Sequence, residues 1–361
     1  MEKEKDRQLN MEVLRIVAML MIITLHYLDK GGILKDFTLK MGVSDNLAWI
    51  IEALCMVSVN IYVLISGYFL STSRFKVGKV ITLWAQVLFY SWLITLIFGI
   101  VTHGAFNLEN GIYDWIILLM PVTGNHYWFA TIYILLYLLF PFLNKGIETM
   151  EKKQFKNLLI VLTVIFSLWN SILPFTIPVT NGNGMDICWF VCLYMIAAYI
   201  RKYPEDFRLN KWAYLGVFVA SGIVTFLLAK GILLADMFTG KLGGYARNFY
   251  PYNSILTLIG SVALFIFAKK CEINLPKALG KIILFASQGT FGVYLIHEHK
   301  LLRYLWPKWF STAEFSGRPL FVIHMIGTVC VVFCVGILID FVRRLIFTPF
   351  TKIKKTDKQN L

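Results

Sequence analysis

Apolar residues run along this chain in long blocks separated by short polar stretches, and most blocks approach the roughly 20 residues that a helix needs to cross a bilayer. Ten blocks stand out: Met11 to Leu28, Trp49 to Leu70, Val77 to Thr102, Tyr127 to Leu143, Asn157 to Leu173, Met185 to Ile200, Trp212 to Ala229, Ser254 to Ala268, Ile282 to His297 and Leu320 to Phe347. Charges, Gly, Pro and Asn bound them, as they bound helices. The blocks from Met185, Ser254 and Ile282 are short. Tyr113 to Met120 is apolar but too short to span, so it reads as a re-entrant segment. The pattern predicts an all-α, polytopic integral membrane protein with about ten transmembrane helices. One membrane domain accounts for 1–361, with an N-terminal stretch at 1–10, a helical bundle at 11–347 and a basic tail at 348–361.

Charge placement tests that count, because Lys and Arg collect in cytoplasmic loops. With ten crossings, 24 of the 35 Lys and Arg fall on the side of the N-terminus and ten on the other, with Arg15 inside the first block. Both termini are therefore expected in the cytoplasm. A missed or spurious helix would invert the later alternation. Composition agrees: 58% hydrophobic and 16% charged residues exclude an ordinary soluble domain. The formal charge of +14 does not point to nucleic acid, since it is spread over loops that face anionic lipid. Lys352, Lys354, Lys355 and Lys358 are expected against the inner leaflet. The first block has no cleavage pattern and reads as a signal anchor. Cys188 with Cys192, and Cys330 with Cys334, are spaced by four within apolar helices, where cysteine packs as a small hydrophobe.

Ionisable residues inside crossings are costly and mark cavities, partners or pathways. The first block carries two, Arg15 and His26. Eleven residues return to within about 20° of the starting direction and rise about 16.5 Å, so both share one face. A cation low in a channel and an imidazole at its far end suit an elongated, partly anionic ligand such as an acyl coenzyme A. An arginine snorkelling to headgroups and an interfacial histidine are the alternatives.

The stretch from Asn10 to His26, with Arg15 and His26 separated by ten residues, resembles the opening motif of the membrane acyltransferase family 3. Three further stretches are similar to that family: Asn60 to Ser71 with Ile65-Ser66-Gly67-Tyr68, His126-Tyr127-Trp128-Phe129 followed by Tyr137 and Pro141, and Phe291-Gly292-Val293-Tyr294-Leu295-Ile296-His297. The resemblance implies about ten helices in a bacterial plasma membrane. It also implies acyl transfer, usually acetyl from acetyl-CoA as acyl donor, to a hydroxyl of an extracytoplasmic saccharide or lipid-linked glycan. Arg15 and His26 are the residues it implicates. Ser66, Arg74, Lys76 and Lys79 are added as candidate cofactor contacts. Relatives often place several arginines after the Ser-Gly-Tyr helix. Lysine keeps the charge but loses the bidentate fork, and ordinary loop charge is the competing reading.

Depth adds further candidates. In this topology Glu52, His126 and His297 lie at the level of His26, and all six histidines fall toward the outer side. His26 is expected to act as general base, taking a proton from the attacking hydroxyl, although an acetyl-imidazole intermediate is chemically open. Glu52 would orient it, unless it is an interfacial carboxylate. His126 or His297 would stabilise the oxyanion. Metal is not expected, because His297 and His299, two apart, point to different faces. The rival function is a transporter or flippase for a glycan or lipid-linked precursor, disfavoured by the lack of an inverted repeat.

Overall fold

The computed structural model describes residues 8–102, 111–124, 126–172 and 183–356, with side chains through 347. His103, Leu173 and Lys358 lie outside the described residues, as do the side chains of Lys352, Lys354 and Lys355. The described residues contain helices and no strand. In chain order the helices are α1 (Leu9–Asp29), α2 (Val43–Cys55), α3 (Val57–Leu70), α4 (Val77–Val101), α5 (Ile112–Leu119), α6 (Trp128–Thr149), α7 (Lys152–Thr163), α8 (Trp169–Ile172), α9 (Ile187–Lys202), α10 (Lys211–Thr239), α11 (Ile255–Lys270), α12 (Lys277–His297), α13 (Leu305–Trp309) and α14 (Phe321–Thr356). A turn at Met56 separates α2 from α3. A π-helical turn at Val164–Leu168 joins α7 to α8.

Among the described residues each of the ten apolar blocks is mostly helical, yet eight helices are long and apolar enough to cross a membrane. The two that fall short are α9 and α11, at 16 residues each. That is about 24 Å, less than the roughly 30 Å of hydrocarbon. Burial explains their tolerance. Phe190, Cys192, Leu193, Tyr194 and Ala197 of α9, and Phe265 of α11, have no exposed surface. A helix walled by protein need not match the lipid thickness, whereas α4 and α10 present Leu96, Ile100, Leu227 and Phe238 outward. The molecule is a multi-pass membrane protein.

Close approach sets the centre. A Cβ at Gly67 would sit 2.9 Å from the Ala197 Cβ and 3.1 Å from the Tyr194 Cα, so α3 and α9 meet through a residue without a side chain. At Gly292 a Cβ would collide with the Asp340 carboxylate, which is buried between α12 and α14. Asp340 accepts hydrogen bonds from Tyr90 Oη (2.8 Å) and Arg343 Nε (2.8 Å) and pairs with Arg344 Nε (3.1 Å). A buried tyrosine of α4 thus joins the ion pairs that Asp340 makes with Arg343 and Arg344 on its own helix. The short apolar segment forms α5, held to α4 by Ser91 Oγ donating to Leu118 C=O (2.6 Å) and Trp92 Nε1 donating to Leu119 C=O (3.0 Å). All six cysteines are free thiols.

Candidate active site

α1 packs between α3, α12 and α14, and it lines a cavity of about 320 Å³ along one stripe. That stripe is Arg15, Met19, Ile22 and His26, the i, i+4, i+7 and i+11 positions of one helical face. Opposite it, α12 contributes Ser287, Phe291, Tyr294 and, just past its last residue, Glu298, with the same spacing. α3 adds Val59, Tyr62 and Ser66, and α6 adds Trp128, Phe129 and Tyr133. The cavity is therefore elongated along α1, lined by apolar, aromatic and small polar side chains, with charge at the ends.

At the Arg15 end, Nη1 bonds to Glu12 Oε2 at 2.7 Å, one turn earlier on α1. Tyr62 Oη donates to the Arg15 backbone carbonyl at 2.9 Å, fixing α3 against this turn. The guanidinium carries five N–H donors, so one bond to Glu12 orients it while leaving donors for a ligand. Gln288, also on the wall, accepts from Arg344 Nη1 at 3.0 Å and ties the cavity to the Asp340 cluster.

At the other end His26 Nδ1 lies 2.9 Å from Glu298 Oε2 and 3.0 Å from His297 Nε2. The far nitrogen of His297, Nδ1, is 2.6 Å from the Val293 carbonyl. A carbonyl can only accept, so His297 Nδ1 carries the proton and neutral His297 presents Nε2 as a lone pair. Both neighbours of His26 Nδ1 are then acceptors. His26 is held with its proton on Nδ1 and its lone pair on Nε2, the tautomer that a general base needs. Lys30 Nζ (3.3 Å) and Arg303 Nη1 (3.4 Å) flank the same carboxylate at Oε1. Burial alone would raise the Glu298 pKa, but the charges of His26 and Lys30 and the hydrogen bond from His26 outweigh it and hold the carboxyl below its usual range.

A family model described as an acyltransferase domain matches residues 8–339. The chain belongs to the membrane acyltransferase family 3. No curated protein and no solved structure matched it.

The fold of this acyltransferase gathers some of the sequence candidates and separates others. Arg15, His26 and Ser66 line the cavity, and His297 touches His26 from behind. Glu52 is not on the wall; its Oε2 is buried with no hydrogen-bond partner among the described residues. His126 pairs instead with His299, ring centroids 4.8 Å apart, and accepts weakly from the Lys300 amide at 3.4 Å. Arg74, Lys76 and Lys79 are exposed and off the wall, and Phe75 among them packs on Tyr137 and Phe140. His324 is hydrogen-bonded to Tyr27 Oη at 2.7 Å and stacked on Phe315.

Sequence reasoning missed Glu12, Tyr62 and above all Glu298. A signal for Glu298 was present: it is an ionisable residue that directly follows His297 at the end of an apolar block. His26, His297 and Glu298 also present ligand atoms within 4.8 Å of one another, the kind of set that can hold a metal ion. Lys30 and Arg303 on the same carboxylate oppose a further divalent charge there.

Proposed function

We propose that this membrane acyltransferase takes acetyl from cytoplasmic acetyl-CoA and transfers it to a hydroxyl of an extracytoplasmic or lipid-linked cell-surface saccharide in the plasma membrane. In this reading ten helices cross the bilayer and both termini are cytoplasmic. The observation that carries it is one cavity with Arg15 at one end and a tautomer-fixed His26 at the other. A volume of about 320 Å³ is at the small end of ligand sites. It suits the pantetheine arm and acetyl end, with a phosphate at Arg15 and the nucleotide outside.

The chemistry follows from the His26 geometry. His26 Nε2 takes the proton of the acceptor hydroxyl as its oxygen forms a bond to the thioester carbonyl carbon. The carbon–sulfur bond then breaks, and His26 returns the proton to the departing thiolate, which restores both partners to neutrality. Glu298 holds Nδ1–H and stabilises the imidazolium while it exists, and His297 supplies a second acceptor for the same proton. Such proton transfer is worth about 10² to 10⁴ in rate.

The test uses the full chain purified into lipid vesicles with radiolabelled acetyl-CoA and cell-envelope glycans. The intact protein labels the glycan and His26→Ala does not. Movement of glycan across the vesicle with no acyl donor, undisturbed in His26→Ala, would instead establish the transporter reading.

A further inference from the structure

Away from the catalytic cavity, α7, the π-helical turn, α10 and α11 enclose an apolar groove of about 590 Å³. Its walls are helical stripes, Leu159, Ile160 and Thr163 on one side and Ile259, Val262 and Ile266 on the other. The π turn begins at Val164, also on the wall, where the extra residue per turn rotates the following side chains away from the α-helical stripe. From Ile255 to Ile266 the lining extends eleven residues, about 16.5 Å. That is close to one leaflet's half of the roughly 30 Å hydrocarbon core.

The groove ends at Lys156, which it shares with a recess formed with Lys152, Lys153, Arg208 and Asp206, where cations outnumber the carboxylate. Lys152 is taken by Glu205 (2.8 Å) and Asp206 (2.6 Å). Asp206 also accepts from Tyr199 Oη (2.5 Å). Lys153 and Lys156 form no ion pair among the described residues. Arg208 spends Nε on the Glu205 carbonyl at 3.0 Å, leaving its terminal nitrogens. In a bilayer the apolar walls alone select nothing, because every lipid tail is as apolar as they are. Selection must come from the cations at the mouth.

We infer that the groove seats one acyl chain of an anionic phospholipid whose headgroup lies on Lys153, Lys156 and Arg208. The apolar length fits a single leaflet's chain, and the cations sit where a headgroup emerges. This site is separate from the transfer reaction and is occupied whether or not acyl donor is bound.

The full chain is reconstituted in vesicles of phosphatidylcholine with a minor fraction of phosphatidylglycerol, extracted gently, and its retained lipids are counted by mass spectrometry. Phosphatidylglycerol is expected to be enriched about tenfold over its share of the vesicle, as cations at a membrane surface favour anionic lipid. The triple variant Lys153→Gln, Lys156→Gln, Arg208→Gln, all at exposed positions, is expected to lose that enrichment with an unchanged melting temperature. Ile259→Trp, filling the groove from a position 42% exposed, is expected to lose retained lipid of both kinds. Equal retention of the two lipids by the intact protein, or enrichment that survives the triple variant, would overturn the proposal. So would a protein dimer that carries no lipid in the groove.

Discussion

Two histidine pairs occupy the same end of the bundle, and they differ in burial and in what each ring contacts. His26 and His297 have ring centroids 5.1 Å apart, and His26 is also fastened to Glu298 and faces the cavity. His126 and His299 are as close, yet they pack on the Tyr127 ring and neither lines the cavity. The first pair has a carboxylate to stabilise an imidazolium. The second has Lys300 and Arg303 nearby, and burial together with those cations lowers the His126 pKa to about 3. Burial likewise lowers that of His299. Residue type and depth are shared, so neither separates the pairs. A carboxylate 2.9 Å from His26 and a place on the cavity wall do.

The contrast can be broken most severely at His26. His26→Ala is expected to lower acetyl transfer by about 10² to 10⁴, measured with radiolabelled donor, while His126→Phe stays within about threefold. If both variants lost activity equally, the distinction between the pairs would collapse. Glu298→Gln comes next. The amide can donate as well as accept, so the tautomer is no longer imposed, and kcat should fall about 10- to 100-fold with coenzyme A affinity retained. Arg15→Ala should do the reverse, weakening coenzyme A binding about tenfold by calorimetry and reducing kcat less.

The pH response separates the pairs in stability rather than rate. Because His126 is held below its ordinary value of 6.5 in the fold, the unfolded chain takes up its proton first as pH falls. Its contribution is complete above about 6.5 and is lost on the way down to about 3. Glu298, depressed, acts in the same direction, its contribution being lost from the usual carboxylate value of 4.5 downward. Thermal melting from pH 7 to pH 4 should therefore show a declining melting temperature, with a shallower decline in His126→Phe. The smallest expected effect is at the start of α4: Lys76→Ala and Lys79→Ala should change coenzyme A affinity by no more than about threefold, since both side chains are exposed and off the cavity wall.

Much of the architecture is legible in the chain because helices inside a membrane are written in local periodicity. Among the described residues all ten apolar blocks are mostly helical, and the Arg15 and His26 stripe follows from 3.6 residues per turn. Crossing length is less legible. α9 and α11 look marginal in sequence and, at 16 residues each, stay below crossing length in the fold, where much of their surface is covered by protein. The same limit applied to Glu52: depth along the bundle could be counted from the sequence, but the direction in which a side chain points at that depth could not.

Local periodicity and motifs make legible an all-α membrane protein, the shared face of Arg15 and His26, and the family to which the chain belongs. Which carboxylate contacts the histidine depends on packing. Glu298 and His26 are 272 residues apart, and their 2.9 Å contact exists because α12 lies against α1 in one particular rotation. Periodicity fixes which residues of a helix share a face; the packing of neighbouring side chains fixes what that face meets.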